Sequence, residues 1–405
     1  MFPNLLRLWT GPLPHQELFP DRPVNPFVQW FIHPVRRWLA KFYILFLQKN
    51  FGLRVIAITG STGKTTTKDM LYSILIKISP AVITSDNGNP TYSIPQAILK
   101  CLPSTRFLIL EMGVEYPGDM HFYTWLVTPD IGILTGISYT HTAFFGTLER
   151  LAAEKISLLS ASPLAVSPAD DPNSKLGFPS YTFGRSANCF TRIVSSVITS
   201  QLTTQIQLVT NGQSLSAELP ALGTHFALPA AAAATVATLV DVHPQIIAHG
   251  LKTYIPSPHR LIPVTLPSGA LLLDDTHNAN PAATQASLEV LVQVTRLTRR
   301  SPVIVFAQMD ELGQYEQSAH QQVGLEIKKL DIRNLLCLGP ATLFTLKSAG
   351  FGQYFETLDS LTAAVRDLIS SQTSSSGTCN LVILVKGSHS WHLENLVSAL
   401  LLGRN

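Results

Sequence analysis

Two α/β domains in series are what this sequence predicts: a central one with a mostly parallel sheet and a phosphate-binding loop, then a Rossmann-like C-terminal one. Three observations carry that expectation. Apolar β-type runs alternate with helical stretches from residue 53 onward. The first run, Val55-Ile56-Ala57-Ile58-Thr59, empties into the turn Gly60-Ser61-Thr62-Gly63 and a helix start at Lys64-Thr65-Thr66. Finally, Pro256-Ser257-Pro258-His259 breaks the alternation before it resumes, which is the composition of a hinge.

In chain order, residues 1–52 form an N-terminal segment, Pro-rich as far as Pro34 and then basic and aromatic over 36–49, where a helix is expected. Charged residues interleave with apolar ones there and no small-residue cleavage site follows, so it is not a signal peptide. Two placements suit such a helix: flat on a membrane surface through residues 27–50 with snorkelling Arg and Lys, or docked on the next domain. Docking is the expectation, because surface helices usually bury their apolar stripe in their own protein. The central domain, 53–258, reads as strand 54–59, helix 65–78, strand 81–84, helix 92–101, strands 106–112 and 131–135, and helix 148–160. Residues 190–219 read as short antiparallel strands, followed by Ala-rich helices at 227–239 and 244–251. In the C-terminal domain, 259–405, strands at 271–275, 303–306, 334–338 and 381–385 alternate with helices, and the Ser/Thr-rich stretch 370–378 reads as an exposed loop. No internal repeat is visible.

Composition narrows the function. The chain has 405 residues, enough for two or three domains, only 14% of them charged, and a formal net charge of +3. Without a polybasic run, a nucleic-acid binder driven by phosphate neutralisation is excluded. No stretch of eighteen apolar residues reads as a transmembrane span. The four cysteines, Cys101, Cys189, Cys337 and Cys379, have no C-x-x-C spacing, so neither a zinc site nor a disulfide framework is indicated, and a reducing cytoplasm fits.

The loop carries the chemistry. Glycines let backbone N–H groups close on phosphate oxygens, and the following helix points its positive end at them. Lys64 would reach the terminal phosphates and the Thr65 hydroxyl would ligate Mg²⁺, with Gly60, Ser61, Thr62, Gly63 and Thr66 completing the cradle. The common Walker spacing asks for a glycine at position 58, which is Ile58, so this is the shorter G-x-x-G-K-T-T form. The strand 106–112 ends in Glu111-Met112-Gly113, placing a carboxylate beside the loop, where it would hold Mg²⁺. Strand 131–135 runs toward His141, a candidate for a further metal. A lone Glu or His is more often structural; the phosphate loop is what raises both.

These residues carry a family resemblance. The run 58–67 resembles the ATP loop of the Mur ligases, enzymes of peptidoglycan precursor synthesis, with folylpolyglutamate synthases as relatives. Within the family, Asn87-Gly88-Asn89, Glu111-Met112-Gly113, Phe144-Phe145-Gly146 and Val385-Lys386-Gly387-Ser388 are similar to the branch that adds D-alanyl-D-alanine. So are Met309-Asp310-Glu311-Leu312-Gly313, the segment 320–324 and, most specifically, Asp274-Asp275-Thr276-His277-Asn278-Ala279-Asn280-Pro281. The resemblance implies a P-loop ATPase core using ATP and Mg²⁺, with UDP-muramoyl-tripeptide and D-alanyl-D-alanine as substrates, in a cytoplasmic monomer. It implies catalytic roles for Lys64, Lys155 and His141, and Mg²⁺ ligation by Thr65, Glu111 and His141. Lys155 matches a lysine often carbamylated into a metal-bridging anion. Asn278 and Asn280 match positions at the adenine end of ATP, Arg260 an arginine of the interdomain cleft, and Asn87, Asn89, Lys386 and Ser388 substrate contacts. Asn278 to Pro281 also suits an Asx turn before a helix, and both readings can hold together.

The implied chemistry activates a carboxylate. ATP transfers its γ-phosphoryl group to a carboxylate, an amine attacks the acyl phosphate, and phosphate leaves; no covalent protein nucleophile is needed. Some positions depart from the family pattern. About fifty residues precede the loop, so the domain that holds the uridine nucleotide is expected to be missing. Gln308 stands for an aspartate, His389 for an arginine and His277 for a tyrosine, while Thr224-His225-Phe226 and Pro229 interrupt a motif richer in Arg and Asn. Two alternatives stay open: an amide ligase with another carrier or acceptor, such as a lipid-linked muropeptide at the inner membrane surface, or a non-catalytic nucleotide-binding relative.

Overall fold

The computed structural model describes residues 2–20, 25–85, 88–140, 142–374 and 377–402. The strands of the first sheet are β1 (Arg54–Thr59), β2 (Ala81–Ile83), β3 (Phe107–Glu111), β4 (Ile131–Leu134), β5 (Leu164–Pro168), β6 (Tyr181–Gly184), β7 (Thr191–Ile198), β8 (Thr204–Thr210) and β9 (Gln213–Leu219). Their order is β2-β3-β1-β4-β5-β6-β7-β8-β9, parallel as far as β7 and antiparallel from β7 to β9. Residues along β1 alternate between two apolar layers. Ile56 and Ile58 face one with the Ala-rich helix Ala227–Leu239, while Val55 and Ala57 face the other with helices Pro90–Lys100 and Asp119–Leu126. Burial on both faces is why these strands read as continuous apolar runs. Each fully buried Ile or Leu contributes about 1.5–3 kcal/mol, so the two layers anchor the loop that β1 feeds.

The second sheet comprises β10 (Ile262–Thr265), β11 (Leu271–Asp275), β12 (Ser301–Ala307), β13 (Asn334–Leu338), β14 (Gln353–Phe355) and β15 (Leu381–Lys386). Its order is β10-β11-β15-β12-β13-β14, with β10 antiparallel and the rest parallel. Between the sheets, at the expected hinge, His259 and Leu261 adopt left-handed backbone at φ +61° and +53°. Two side-chain contacts hold that turn. Ser257 Oγ donates to Asp69 Oδ2 at 2.8 Å, and His259 Nδ1 lies 2.8 Å from Asp274 Oδ2.

The N-terminal helix spans His33–Phe51, begins three residues before the expected stretch, and is preceded by a π-helical turn at Val28–Ile32. It docks as expected: Ala40, Ile44 and Leu47 are buried in the apolar layer shared with Pro90–Lys100 and Asp119–Leu126. The sequence reading omitted β5 and β6, which bridge β4 to β7. Both are short and bounded by Pro or Gly, and each is a strand because its neighbours supply a ladder. The stretch read as an exposed loop at 370–378 is partly structured, since helix Leu358–Ser371 takes its first residues and Thr373 bridges Cys379. Among the described residues no helix is long and apolar enough to cross a membrane.

Candidate active site

Strand β1 delivers the phosphate loop to the carboxyl edge of the first sheet, where Gly63 begins helix Lys64–Leu75 in left-handed conformation at φ +78°. Gly60 has no alternative. A Cβ there would lie 2.0 Å from Thr135 Oγ1, at a φ of +147°. The loop is stapled from the end of β4: Ser61 N donates to Gly136 O at 2.8 Å, and Ser61 Oγ donates to Ser138 O at 2.9 Å. Such bonds fix the turn and leave the first-turn N–H groups of the helix for an anion.

Because β3 pairs with β1 so that Glu111 sits opposite Ile58, the carboxylate arrives beside the loop. Thr65 Oγ1 donates to Glu111 Oε1 at 3.0 Å, and the other carboxylate oxygen lies 3.7 Å from Lys68 Nζ. Lys64 Nζ donates to Gly60 O at 2.9 Å. Burial, helped by the nearby Arg260 charge, pushes the Lys64 ammonium below its ordinary pKa, and Glu111 opposes that shift. The buried Lys155 on helix Leu148–Ser160 donates to the same carbonyl at 3.2 Å. Its pKa is driven well below the usual lysine range by burial first and by Lys64 second. A hydroxyl next to a carboxylate is an oxygen donor set of the kind Mg²⁺ takes with substrate phosphates, so these residues fit the ion.

Across the hinge, Arg260 Nη2 donates to Thr65 Oγ1 at 3.2 Å and lies 3.3 Å from His277 Nε2. His277 is held neutral, its pKa lowered to about 3 by burial and by Arg260, so its ring nitrogen accepts from the guanidinium. Asn278 Oδ1 accepts from Ala279 N at 2.8 Å, and Asn280 caps helix Pro281–Thr298 by accepting from Ala283 N at 2.9 Å. The turn reading of this motif is therefore realised, and both asparagines still line the cleft. Lys386 Nζ is buried against Asp275 Oδ2 at 2.6 Å and Asn278 O at 3.1 Å.

The cleft between the two sheets holds about 700 Å³, the size class of ligand pockets. Its walls bring together Ser61 to Thr66, Glu111, Asn89, Arg260, Asn278, Asn280 and Lys386. Ser388 is not on those walls; its hydroxyl accepts from Asp310 N at 2.9 Å. Gln308, at a departure position, is bonded within the second sheet: Oε1 accepts from Ala341 N at 2.9 Å, and Nε2 donates to Asp310 Oδ1 at 3.2 Å. His141 and Asn87 lie outside the described residues. Sequence reasoning missed Glu17, whose Oε1 accepts from Asn89 Nδ2 at 3.1 Å. They lie 72 positions apart, so no local pattern signals that pair. It also missed Glu115 and Asp275 as cleft residues, although Asp275 lay inside a quoted motif.

Two family profiles match the chain: Mur ligase middle domain over residues 58–237, and Mur ligase, glutamate ligase domain over residues 259–389. The UDP-N-acetylmuramoyl-tripeptide--D-alanyl-D-alanine ligase of Escherichia coli is 30% identical over 86% of this chain and 76% of its own length. The enzyme of the same name from Bacillus subtilis is 25% identical over 90% of this chain and 78% of its own. Among solved structures, MurF from Acinetobacter baumannii superposes with TM-score 0.82 at 25% identity, covering 91% of this chain and 80% of that one. MurF ligase from Thermotoga maritima in complex with ADP gives TM-score 0.77 at 23% identity, over 93% of this chain and 86% of that one, a likeness of fold.

Proposed function

The chain belongs to the Mur ligase family, and from that premise we propose that it is an ATP-dependent amide ligase of peptidoglycan precursor synthesis, joining D-alanyl-D-alanine to UDP-N-acetylmuramoyl-tripeptide. The observation that carries the reading is the convergence of Lys64, Thr65, Glu111 and Arg260 at one end of a ligand-sized cleft between two α/β units. We divide the chain at 52/53 and 258/259, with the turn at His259 as the hinge on which the cleft closes.

In this mechanism the loop N–H groups and Lys64 hold the β- and γ-phosphates, and Arg260 approaches from the second sheet as the γ-phosphoryl group passes to the tripeptide carboxylate. Thr65 and Glu111 would hold Mg²⁺, which when bound neutralises charge where two anions meet. The amine of D-alanyl-D-alanine then attacks the acyl phosphate and displaces phosphate. Asn278 and Asn280 would face the adenine end. Lys155 is buried, and burial together with Lys64 drives its pKa well below the usual lysine range, which favours the neutral amine that takes up CO₂; a carbamate there would place an anion beside Lys64. Asn89 and Lys386, which line the cleft, would contact the substrate. His141 keeps its proposed metal role by resemblance.

A second reading keeps this chemistry and presents a lipid-linked muropeptide at the cytoplasmic face of the membrane; the apolar outward side of helix His33–Phe51 favours it. One experiment separates the two. Purified protein with ATP and Mg²⁺ is given UDP-muramoyl-tripeptide and D-alanyl-D-alanine, together and singly, and products are weighed by mass spectrometry. A pentapeptide product formed only with both substrates supports the first reading. ATP binding without such a product rejects it in favour of another carrier or acceptor.

A further inference from the structure

The helix His33–Phe51 has two apolar sides, and only one of them is used. Its inward side, with Ala40, Ile44 and Leu47, is buried in the first domain. At 100° per residue, Val35, Leu39, Phe42, Leu45 and Phe46 fall on the opposite arc, and all five are exposed, between 44% and 62%. Phe31, on the preceding π-helical turn, continues the stripe at 57% exposure. Helix Phe2–Thr10 borders it, because Trp38 Nε1 donates to Trp9 O at 2.9 Å and Trp9 Nε1 donates to Trp30 O at 2.7 Å. That helix adds Leu5 and Leu8, 63% and 68% exposed. Single exposed apolar residues are ordinary, whereas a continuous aromatic stripe along one helix marks a docking surface.

Charge decides what docks. Among the described residues up to Gly52, the basic side chains are Arg7, Arg36, Arg37, Lys41 and Lys49, and the only acidic one is Glu17, which is buried beside Asn89. Arg37 is buried and Lys41 donates to Trp125 O, which leaves Arg7, Arg36 and Lys49 around the stripe. A two-fold contact with a second copy would set this basic rim against itself. An anionic bilayer surface matches it: aromatic and aliphatic side chains enter the acyl boundary, indoles sit at the interface, and Arg and Lys meet phosphate headgroups. We propose that the outward face of helices Phe2–Thr10 and His33–Phe51 is a monotopic membrane-docking surface for anionic phospholipid, holding the protein on the bilayer without spanning it. Because the inward face packs on the helix Pro90–Lys100, whose first turn Asn89 caps, docking would fix the orientation of the cleft relative to the membrane.

The inference goes beyond the ligase reading and is independent of it. Full-length protein is floated with vesicles of phosphatidylcholine alone, or with phosphatidylglycerol added, in low and high salt. The triple variant Leu39→Ser, Phe42→Ser, Phe46→Ser is run alongside, with ATP turnover in solution and sedimentation velocity as controls. The account predicts flotation with the anionic vesicles, weakened by salt, and a fall of about tenfold or more in the bound fraction of the triple variant with turnover unchanged. Absence of flotation by the wild-type protein, or equal flotation by the variant, overturns the proposal. So does a vesicle-independent dimer that the same substitutions dissolve, which would assign the face to a second copy.

Discussion

Arg260 Nη2 donates to Thr65 Oγ1 at 3.2 Å, so a side chain just past the hinge reaches the hydroxyl at the heart of the phosphate loop. The same hydroxyl donates to Glu111 Oε1 at 3.0 Å. Three residues from three distant stretches of chain therefore converge where the terminal phosphates would lie. Arg260 is the side chain through which domain closure would be felt by the nucleotide, and its planar fork suits phosphate oxygens better than a point charge. Arg260→Lys is expected to lower kcat about tenfold or more while the unfolding midpoint stays near that of the wild type. A steady-state comparison with a thermal melt checks both halves.

Lys155 donates to Gly60 O from a fully buried position, and burial together with Lys64 favours its neutral amine. If the neutral amine is carbamylated, Lys155→Ala removes an anion and opens a cavity where a small carboxylate fits. Turnover is expected to fall about a hundredfold and to recover in part with added formate or acetate. Rescue absent across a concentration series of both acids would show that the amine acts uncarbamylated.

Gly60→Ala tests the loop itself. The new Cβ would sit 2.0 Å from Thr135 Oγ1, which also donates to Thr59 O at 3.2 Å. Expected is a loss of about 1–3 kcal/mol of stability together with weakened nucleotide binding, read by denaturant unfolding and by titration with a fluorescent ATP analogue.

Asp119 gives a pH signature. The residue is 1% exposed, and burial raises its pKa from 3.8 to about 7 against the hydrogen bonds that its carboxylate accepts from the backbone N–H groups of Glu115 and Tyr116. Between those values the folded protein holds a proton that the unfolded chain has released. Its contribution is therefore fully present below pH 3.8 and is lost as pH rises through about 7, by at most about 1.4 kcal/mol per pH unit. Asp119→Asn abolishes that slope, so the difference in unfolding free energy between variant and wild type should grow in the variant's favour from acidic to alkaline pH. A difference that stays constant with pH would show that Asp119 titrates normally.

The parts of the site that are local in sequence were legible: the strand running into Gly60 to Thr66, Glu111 at a strand end, and the Pro256 to His259 break. Each is a pattern a few residues long whose physics is contained in the pattern. What was not legible depends on partners far along the chain. Strands β5 and β6 exist because β4 and β7 flank them. Glu17 matters because a docked helix brings it to Asn89. Lys386 reads in sequence as a substrate contact, and only the fold shows its ammonium taken up by Asp275. For helix His33–Phe51 the sequence offered two placements, on a membrane surface or docked, and only packing shows that one side is buried while the other stays exposed.

The transfer of a phosphoryl group to the peptide carboxylate is tested most directly by isotope tracing. The tripeptide substrate is prepared with heavy oxygen in its terminal carboxylate and turned over with ATP, Mg²⁺ and D-alanyl-D-alanine, and the released inorganic phosphate is analysed by mass spectrometry. An acyl phosphate predicts one heavy oxygen atom in each phosphate released, because the carboxylate oxygen that attacks the γ-phosphorus departs with it. Unlabelled phosphate alongside amide product, or label appearing in AMP, would contradict the mechanism.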